Sequence, residues 1–357
     1  MNGDAGPHSR GAEASEASTD GDVDEPVTGR WKSRLVGGGR AGTSTLWISV
    51  VLVLLLALFT VLAPREFVSA ANIRNILTNA SSLLLLAVGE TYVIITAGID
   101  LSVGSVLIFS GVVSAKVMLW TGDQRSGPGV ALLGLLAALV CGLAWGALNG
   151  FLIVHTRVTS LIVTLGTLSM ALGMSQILTN GVDLSGVPDI LNRTVGSGEF
   201  LGIPWLVWIT LVVTAFLGVV LAVTRFGRRT YAIGSNEEAA RRAGIPVGAH
   251  LVKIYAMSGL LAGLAGFLNL ARFTTTTLGG HAADNLNAIA GVVIGGTSLF
   301  GGVGVIFGTV IGVLIPAVLQ TGLVIIGVQP YWEEVLIGAV LIGAVYIDQL
   351  RRQRRSG

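Results

Sequence analysis

Ten apolar runs dominate the chain, near 46–63, 79–97, 102–120, 130–150, 159–179, 205–224, 251–271, 284–299, 304–326 and 331–348. Several reach the ~20 residues that a helix needs to cross the ~30 Å hydrocarbon core of a bilayer. Backbone in hydrocarbon must satisfy its own hydrogen bonds, so runs of this length are expected as helices. The expected fold class is an all-α polytopic membrane protein with about ten transmembrane helices. Composition agrees: apolar residues make up 52%, charged residues 12%, and there are 50 glycines. Soluble domains carry about 25% charged residues.

The few charges are segregated, and that orients the chain. Residues 1–28 are rich in Asp, Glu, Ser, Gly and Ala, and residues 29–45 turn basic with Arg30, Lys32, Arg34 and Arg40. Segment 1–45 is therefore expected to be a disordered, acidic-then-basic cytoplasmic tail. No apolar segment directly follows Met1, so a cleaved signal peptide is not expected. Further basic clusters lie at Arg157, at Arg225–Arg242, and in a short tail, 349–357, with Arg351, Arg352, Arg354 and Arg355. Ten spans put all of these on the cytoplasmic side, as the positive-inside rule requires. The expectation is a plasma-membrane domain over 46–348 with both termini cytoplasmic.

The most charged stretch between the termini is 225–250, RFGRRTYAIGSNEEAARRAGIPVGAH. Gly234, Ser235 and Asn236 supply stop and N-cap residues, and Glu237 and Glu238 fall in the first turn, where carboxylates suit the helix dipole. Arg241 and Arg242 complete two i,i+4 pairs in the favoured orientation. Gly244 and Pro246 end the helix. So short a helix is marginal alone and needs a surface to pack on. Its shallow apolar side, Ala239, Ala240, Ala243 and Ile245, suits a groove on another protein; an ordinary capped loop helix is the plainer alternative.

Two spans look interrupted. GETYVIITAGIDLSVGS (89–105) and GGHAADNLNAIAGVVIGGTSLFGG (279–302) mix acids, amides, hydroxyls and glycines into apolar sequence. Irregular backbone at membrane depth survives only where protein or a water-filled cavity satisfies it. Breaks in matching halves of a chain point to a transport path, whereas tight loops at the membrane edge are the simpler account. Gly142, Gly146 and Gly150, and again Gly304, Gly308 and Gly312, recur at the spacing that lets helices approach closely. If spans two to five and seven to ten form two inverted repeats, these two helices correspond.

Catalytic motifs do not emerge. None of Lys32, Lys116 and Lys253 belongs to a P-loop, so the chain cannot hold ATP in that way. His8, His155, His250 and His281 lack metal-ligand spacing, Cys141 stands alone, and no G-x-S-x-G supports a hydrolase. No cofactor, no metal and no enzyme activity are expected. Glu90, Asp100, Lys116 and Arg272 are intramembrane charges that would serve an ion-coupled secondary carrier, although each lies near a span end.

Five ordered motifs carry a family resemblance: GETYVIITAGIDLSVGS (89–105), GALNG (146–150), IVTLGT (162–167), AIGSNEEAARRAGI (232–245) and AIAGVVIGGTSLFGG (288–302). Over about 46–348 the chain resembles the membrane permease of bacterial ribose/xylose/galactose-type ABC importers. The resemblance implies a vitamin B12-importer-like fold with inverted repeats in the bacterial inner membrane, acting as a homodimer or pseudo-dimer. It implies a double-cassette ABC ATPase that hydrolyses ATP, and an extracytoplasmic sugar-binding protein. It makes Ser235, Asn236, Glu237, Glu238, Ala239, Arg241, Arg242, Gly244 and Ile245 the ATPase-coupling segment. The chain departs from the family at Asn285-Leu286-Asn287, where two acids are common, and at Ser160-Leu161, where Pro-Phe is common. The transported solute would be a monosaccharide or polyol. Asp100, Ser102, Asn149, Thr164, Thr167, Asn285 and Asn287 are the polar groups expected along its path, unless their side chains instead satisfy backbone groups.

Overall fold

The computed structural model describes residues 40–281 and 283–329, with scattered helical residues between 332 and 346. Most of the expected N-terminal tail, the 349–357 tail and much of the tenth apolar run lie outside the described residues. The helices are α1 (Arg40–Leu62), α2 (Ala70–Ile95), α3 (Val103–Thr121), α4 (Pro128–Thr156), α5 (Ser160–Thr179) and α6 (Trp205–Val223). They continue as α7 (Arg225–Ser235), α8 (Glu237–Arg242), α9 (Val247–Phe273), α10 (Asp284–Ile294) and α11 (Ile306–Ile325). Among the described residues seven helices are long and apolar enough to cross a membrane: α2 to α6, α9 and α11.

Helix α2 is the hub. It starts well before the apolar run because Ser69 caps it, its Oγ accepting from Asn72 N at 3.2 Å. Leu85, Leu86, Tyr92, Ile94 and Ile95 are fully buried, in one core with Ile254, Tyr255 and Leu268 of α9, a helix that α2 packs along. Polar ties fix its rotation: Tyr92 Oη donates to Leu217 O of α6 at 2.6 Å, and the Thr91 and Thr309 hydroxyls meet at 2.7 Å. By contrast α4, α5 and α6 are largely exposed, presenting Leu132, Leu136, Val140, Leu161, Ile162, Leu165, Val212 and Phe216. In a membrane protein such faces belong to lipid or to another subunit.

The first glycine row packs where close approach was expected. Gly142 and Gly146 of α4 lie directly on Gly259 and Gly263 of α9. The second row faces a different kind of partner: Gly308 and Gly312 of α11 lie on Gly295 and Gly291. Under an inverted repeat pairing α2 with α9 and α4 with α11, the α11 row would face α2. The two rows therefore occupy non-equivalent seams.

Segment 180–204 folds over the end of the bundle remote from α7 and α8. It contains a hairpin, Glu199–Phe200 with Ile203–Pro204, whose tip residues Leu201 and Gly202 both have positive φ (55° and 74°), as a tight hairpin turn demands. Asn192 Nδ2 donates to Ala271 O (3.0 Å), Leu184 N to Thr276 Oγ1 (2.8 Å), and Arg74 pairs with Glu199. This cover fixes the far ends of α2 and α9 together.

Candidate functional site

Where α7 and α8 meet in a corner, α8 matches the sequence reading closely. Asn236 Oδ1 accepts from Ala239 N at 2.9 Å, and Arg241–Glu237 (2.7 Å) and Arg242–Glu238 (3.1 Å) form both expected ion pairs. Gly244, at φ 78°, closes the helix: Ile245 N bonds Ala240 O (3.1 Å) and Gly244 N bonds Arg241 O (3.0 Å). That is the paired-bond C-terminal motif in which glycine's access to positive φ is used. One expectation is corrected. Ala240 is buried against its own chain, in a small cluster with Ile233 and Val247 that Ile245 and Leu251 extend. The face left outward carries Glu237, Glu238, Ala239, Arg241, Arg242 and Ala243, all exposed. Replacing Asn236 with Ala should cost about 1 kcal/mol of local helix stability. The check is amide exchange within 238–242, which should quicken several-fold while the membrane helices stay protected.

This corner is joined directly to the bundle. Gly234 presses on Ile95 O at the end of α2, where a side chain would not fit, and Gly302 N donates to the same carbonyl at 2.8 Å. Tyr231 Oη donates to Gly304 O at 2.6 Å, and burial pushes its phenol up to about 12. Thr230 Oγ1 lies 2.9 Å from His250 Nε2, tying α7 to the first turns of α9. The corner is therefore tied to Ile95, which leads into segment 96–102, and to Gly302 and Gly304 of segment 295–305.

Those segments belong to the two interrupted runs foreseen in the sequence, 89–105 and 279–302. Helix α9 has 27 residues and α10 only 11, so they rise about 40 Å and 16 Å. Both have one end near the α7–α8 corner, which puts the start of α10 deep inside the bundle. The start of α3 meets it there: Gly104 abuts His281 O, and Asn285 Nδ2 donates to Leu101 O at 3.0 Å. Two interrupted helices thus touch at their N-terminal ends.

The expected path residues converge on this junction. Ser102 Oγ donates to Asp100 Oδ1 (2.6 Å), and Asn149 Nδ2 of α4 donates to Ser102 Oγ (2.7 Å). Leu101 N donates to Thr164 Oγ1 and Ile99 N to Ser160 Oγ, each at 3.1 Å, so α5 holds the same loop. Thr167 Oγ1 donates to Thr164 O at 3.3 Å. Asp100, Ser102, Asn149, Thr164, Thr167 and Asn285 are all buried; Asn287 is half-buried and stands apart, on a cavity wall. The six form a buried knot at the junction, and none of them lies on that cavity wall. The two family departures find physical uses here. Asn285 supplies an N–H that an ionised acid lacks, and Ser160 supplies a hydroxyl acceptor.

Of the four intramembrane charges, Lys116 is exposed on α3, not buried. Glu90 is enclosed in α2, and neither carboxyl oxygen has a hydrogen-bond partner among the described residues. Sequence reasoning passed over Asn79, Ser82, Asn269 and Asp284, which gather with Arg272 and His281 around one polar cavity. Their signal was faint: single polar residues spaced along otherwise apolar helices.

Membrane-long helices, a rigidly attached surface corner and two helix breaks meeting inside the bundle define a multi-pass transport protein. The chain belongs to the family described as the branched-chain amino acid transport system / permease component, whose model matches residues 72–345. It is 38% identical to the ribose import permease protein RbsC of Escherichia coli K12, over 85% of this chain and 93% of that protein. It is 37% identical to the D-allose transport system permease protein AlsC of the same organism, over 84% and 90%. It is 36% identical to the galactose/methyl galactoside import permease protein MglC, over 87% and 95%. No solved structure gives a significant match.

Proposed function

We propose that this chain is the membrane permease of an ATP-driven importer, carrying a monosaccharide or related polyol along a path between two permease copies. The observation that carries the reading is the α7–α8 corner: an exposed, doubly ion-paired helix end whose inner side grips both interrupted segments. Relatives whose names specify ribose, allose and galactose supply the substrate class. The corner faces the cytosol and receives a double-cassette ATPase through Ser235, Asn236, Glu237, Glu238, Ala239, Arg241, Arg242, Gly244 and Ile245. An extracytoplasmic binding protein delivers sugar to the end covered by segment 180–204. The ATPase drives transport only if it binds the two permease states unequally, because a partner indifferent to conformation shifts nothing. Its motion passes through Gly234, Ile95 and Gly302 to the junction of α3 and α10. The knot of Asp100, Ser102, Asn149, Thr164, Thr167 and Asn285 is the seal that loosens on opening. An inverted-repeat bundle of about ten spans is the architecture proposed for each copy.

The test is uptake into sealed vesicles. With ATPase, binding protein and ATP all present, labelled ribose, allose or galactose should accumulate; omitting any one should abolish accumulation. Uptake by this chain alone, responding to membrane potential, would instead establish the ion-coupled carrier.

A further inference from the structure

A cavity of about 280 Å³ opens between α2, α9, α10 and α11 on the side of the junction away from the α7–α8 corner. Its wall is a continuous chain of polar groups. Ser82 Oγ donates to Asn269 Oδ1 (2.8 Å), and Asn269 Nδ2 reaches His281 Nε2 (3.3 Å). His281 Nδ1 then donates to Asp284 Oδ2 at 2.7 Å. Opposite them, the Arg272 guanidinium is held by Asn79 Oδ1 (2.7 Å) and lies 4.9 Å over the Phe273 ring. A guanidinium has five N–H donors, so this one keeps donors to spare. The Asn287 and Gln320 side chains also line the cavity, and neither makes a hydrogen bond among the described residues. Pro316 of α11 adds an apolar patch.

Three features select the ligand. Its size suits one small molecule, because pockets for drug-sized ligands span roughly 300–1,000 Å³. Its charges balance, with Arg272 against Asp284, so the site has no net preference for an anion or a cation. Its donors and acceptors are planar forks (guanidinium, carboxylate and amides) that bond two adjacent hydroxyls at once, charge-assisted in the first two cases. We propose that this cavity is an extracytoplasmic subsite for one neutral polyhydroxylated molecule of monosaccharide size, engaged through Arg272, Asp284 and the free amides of Asn287 and Gln320. The direction rests on the importer reading above; the binding chemistry rests on the cavity alone.

The test uses full-length chain in vesicles, with Leu83→Cys, on the cavity wall but outside the proposed ligand groups, modified by a small thiol reagent from the cavity side and Cys141 changed to Ser. Ribose, allose and galactose are titrated in turn, with glycine betaine as the solute control. A bound sugar should shield the thiol saturably, slowing modification about tenfold at ~10 times its Kd. Leu286→Cys, exposed and outside the cavity wall, should not be shielded. Ala317→Cys repeats the measurement on α11 should the first variant not assemble. No shielding by any of the three sugars, or equal shielding at position 286, overturns the subsite. ATP-driven uptake in matched vesicles separates the two ideas. Uptake without shielding removes the subsite alone; shielding without uptake keeps the subsite and removes the importer reading.

Discussion

Gly146→Ala should destabilise the bundle by about 1–3 kcal/mol or more, the usual range for overpacking. A methyl group there would strike the carbonyl of Tyr255 and lie 3.0 Å from the Gly259 Cα. The obstacle is backbone on a facing helix, so no side-chain rotation relieves it; α4 and α9 must move apart. Transmembrane helices associate chiefly through packing, so the separation has no hydrophobic gain to offset it. The same movement withdraws Asn149, three residues on, from Ser102, loosening the knot at the junction. Gly166→Ala on α5 is the control, because a methyl group there meets nothing within 4 Å. In detergent, thermal unfolding of the Gly146 variant should fall well below the parent, with the Gly166 variant unchanged. An unshifted Gly146→Ala would mean that the α4–α9 seam is looser than drawn.

How much of this was legible in the sequence depends on how local each feature is. Helix α8 could be read almost atom for atom, because its cap, its two ion pairs and Gly244 all lie within ten residues. Helix α7 was missed: Arg225, Arg228 and Arg229 crowd its first turns, where cations oppose the dipole, and only Thr224 signalled a cap. Hydropathy placed the start of α2 near residue 79 because Asn72, Arg74 and Asn75 interrupt the apolar run. Helix α10 stops at Ile294 rather than 299, since Gly296 turns the chain at φ 90°. The interruptions within 89–105 and 279–302 could be foreseen from their glycines and polar groups. Their meeting could not, because contacts such as Asn285 with Leu101 are made by tertiary packing across 184 positions of chain. For the same reason the gathering of Asn79, Ser82, Asn269 and Asp284 with Arg272 and Asn287 around one cavity could not be read along the sequence.

Reversing charge on α8 should abolish coupling while sparing the fold. Glu238→Arg removes the ion pair with Arg242, and both side chains are largely exposed, at 64% and 79%. Such an i,i+4 pair is worth only ~0.3–0.5 kcal/mol, and the Asn236 cap and buried Ala240 remain. Thermal unfolding should hardly move. If this face presses on an ATPase, however, the reversal sets a cation where a carboxylate was matched, and like-charge contacts at an interface cost several kcal/mol. Every ~1.4 kcal/mol is a factor of ten in affinity, so ATP-driven uptake should drop more than tenfold. The double change Glu238→Arg with Arg242→Glu sharpens the experiment, because it restores the pair within the helix but leaves both charges inverted toward a partner. A defect caused by helix fraying would recover in the double variant; a defect of docking would persist. Normal uptake in the single variant would leave α8 a capped surface turn, and the drive for transport would have to enter elsewhere.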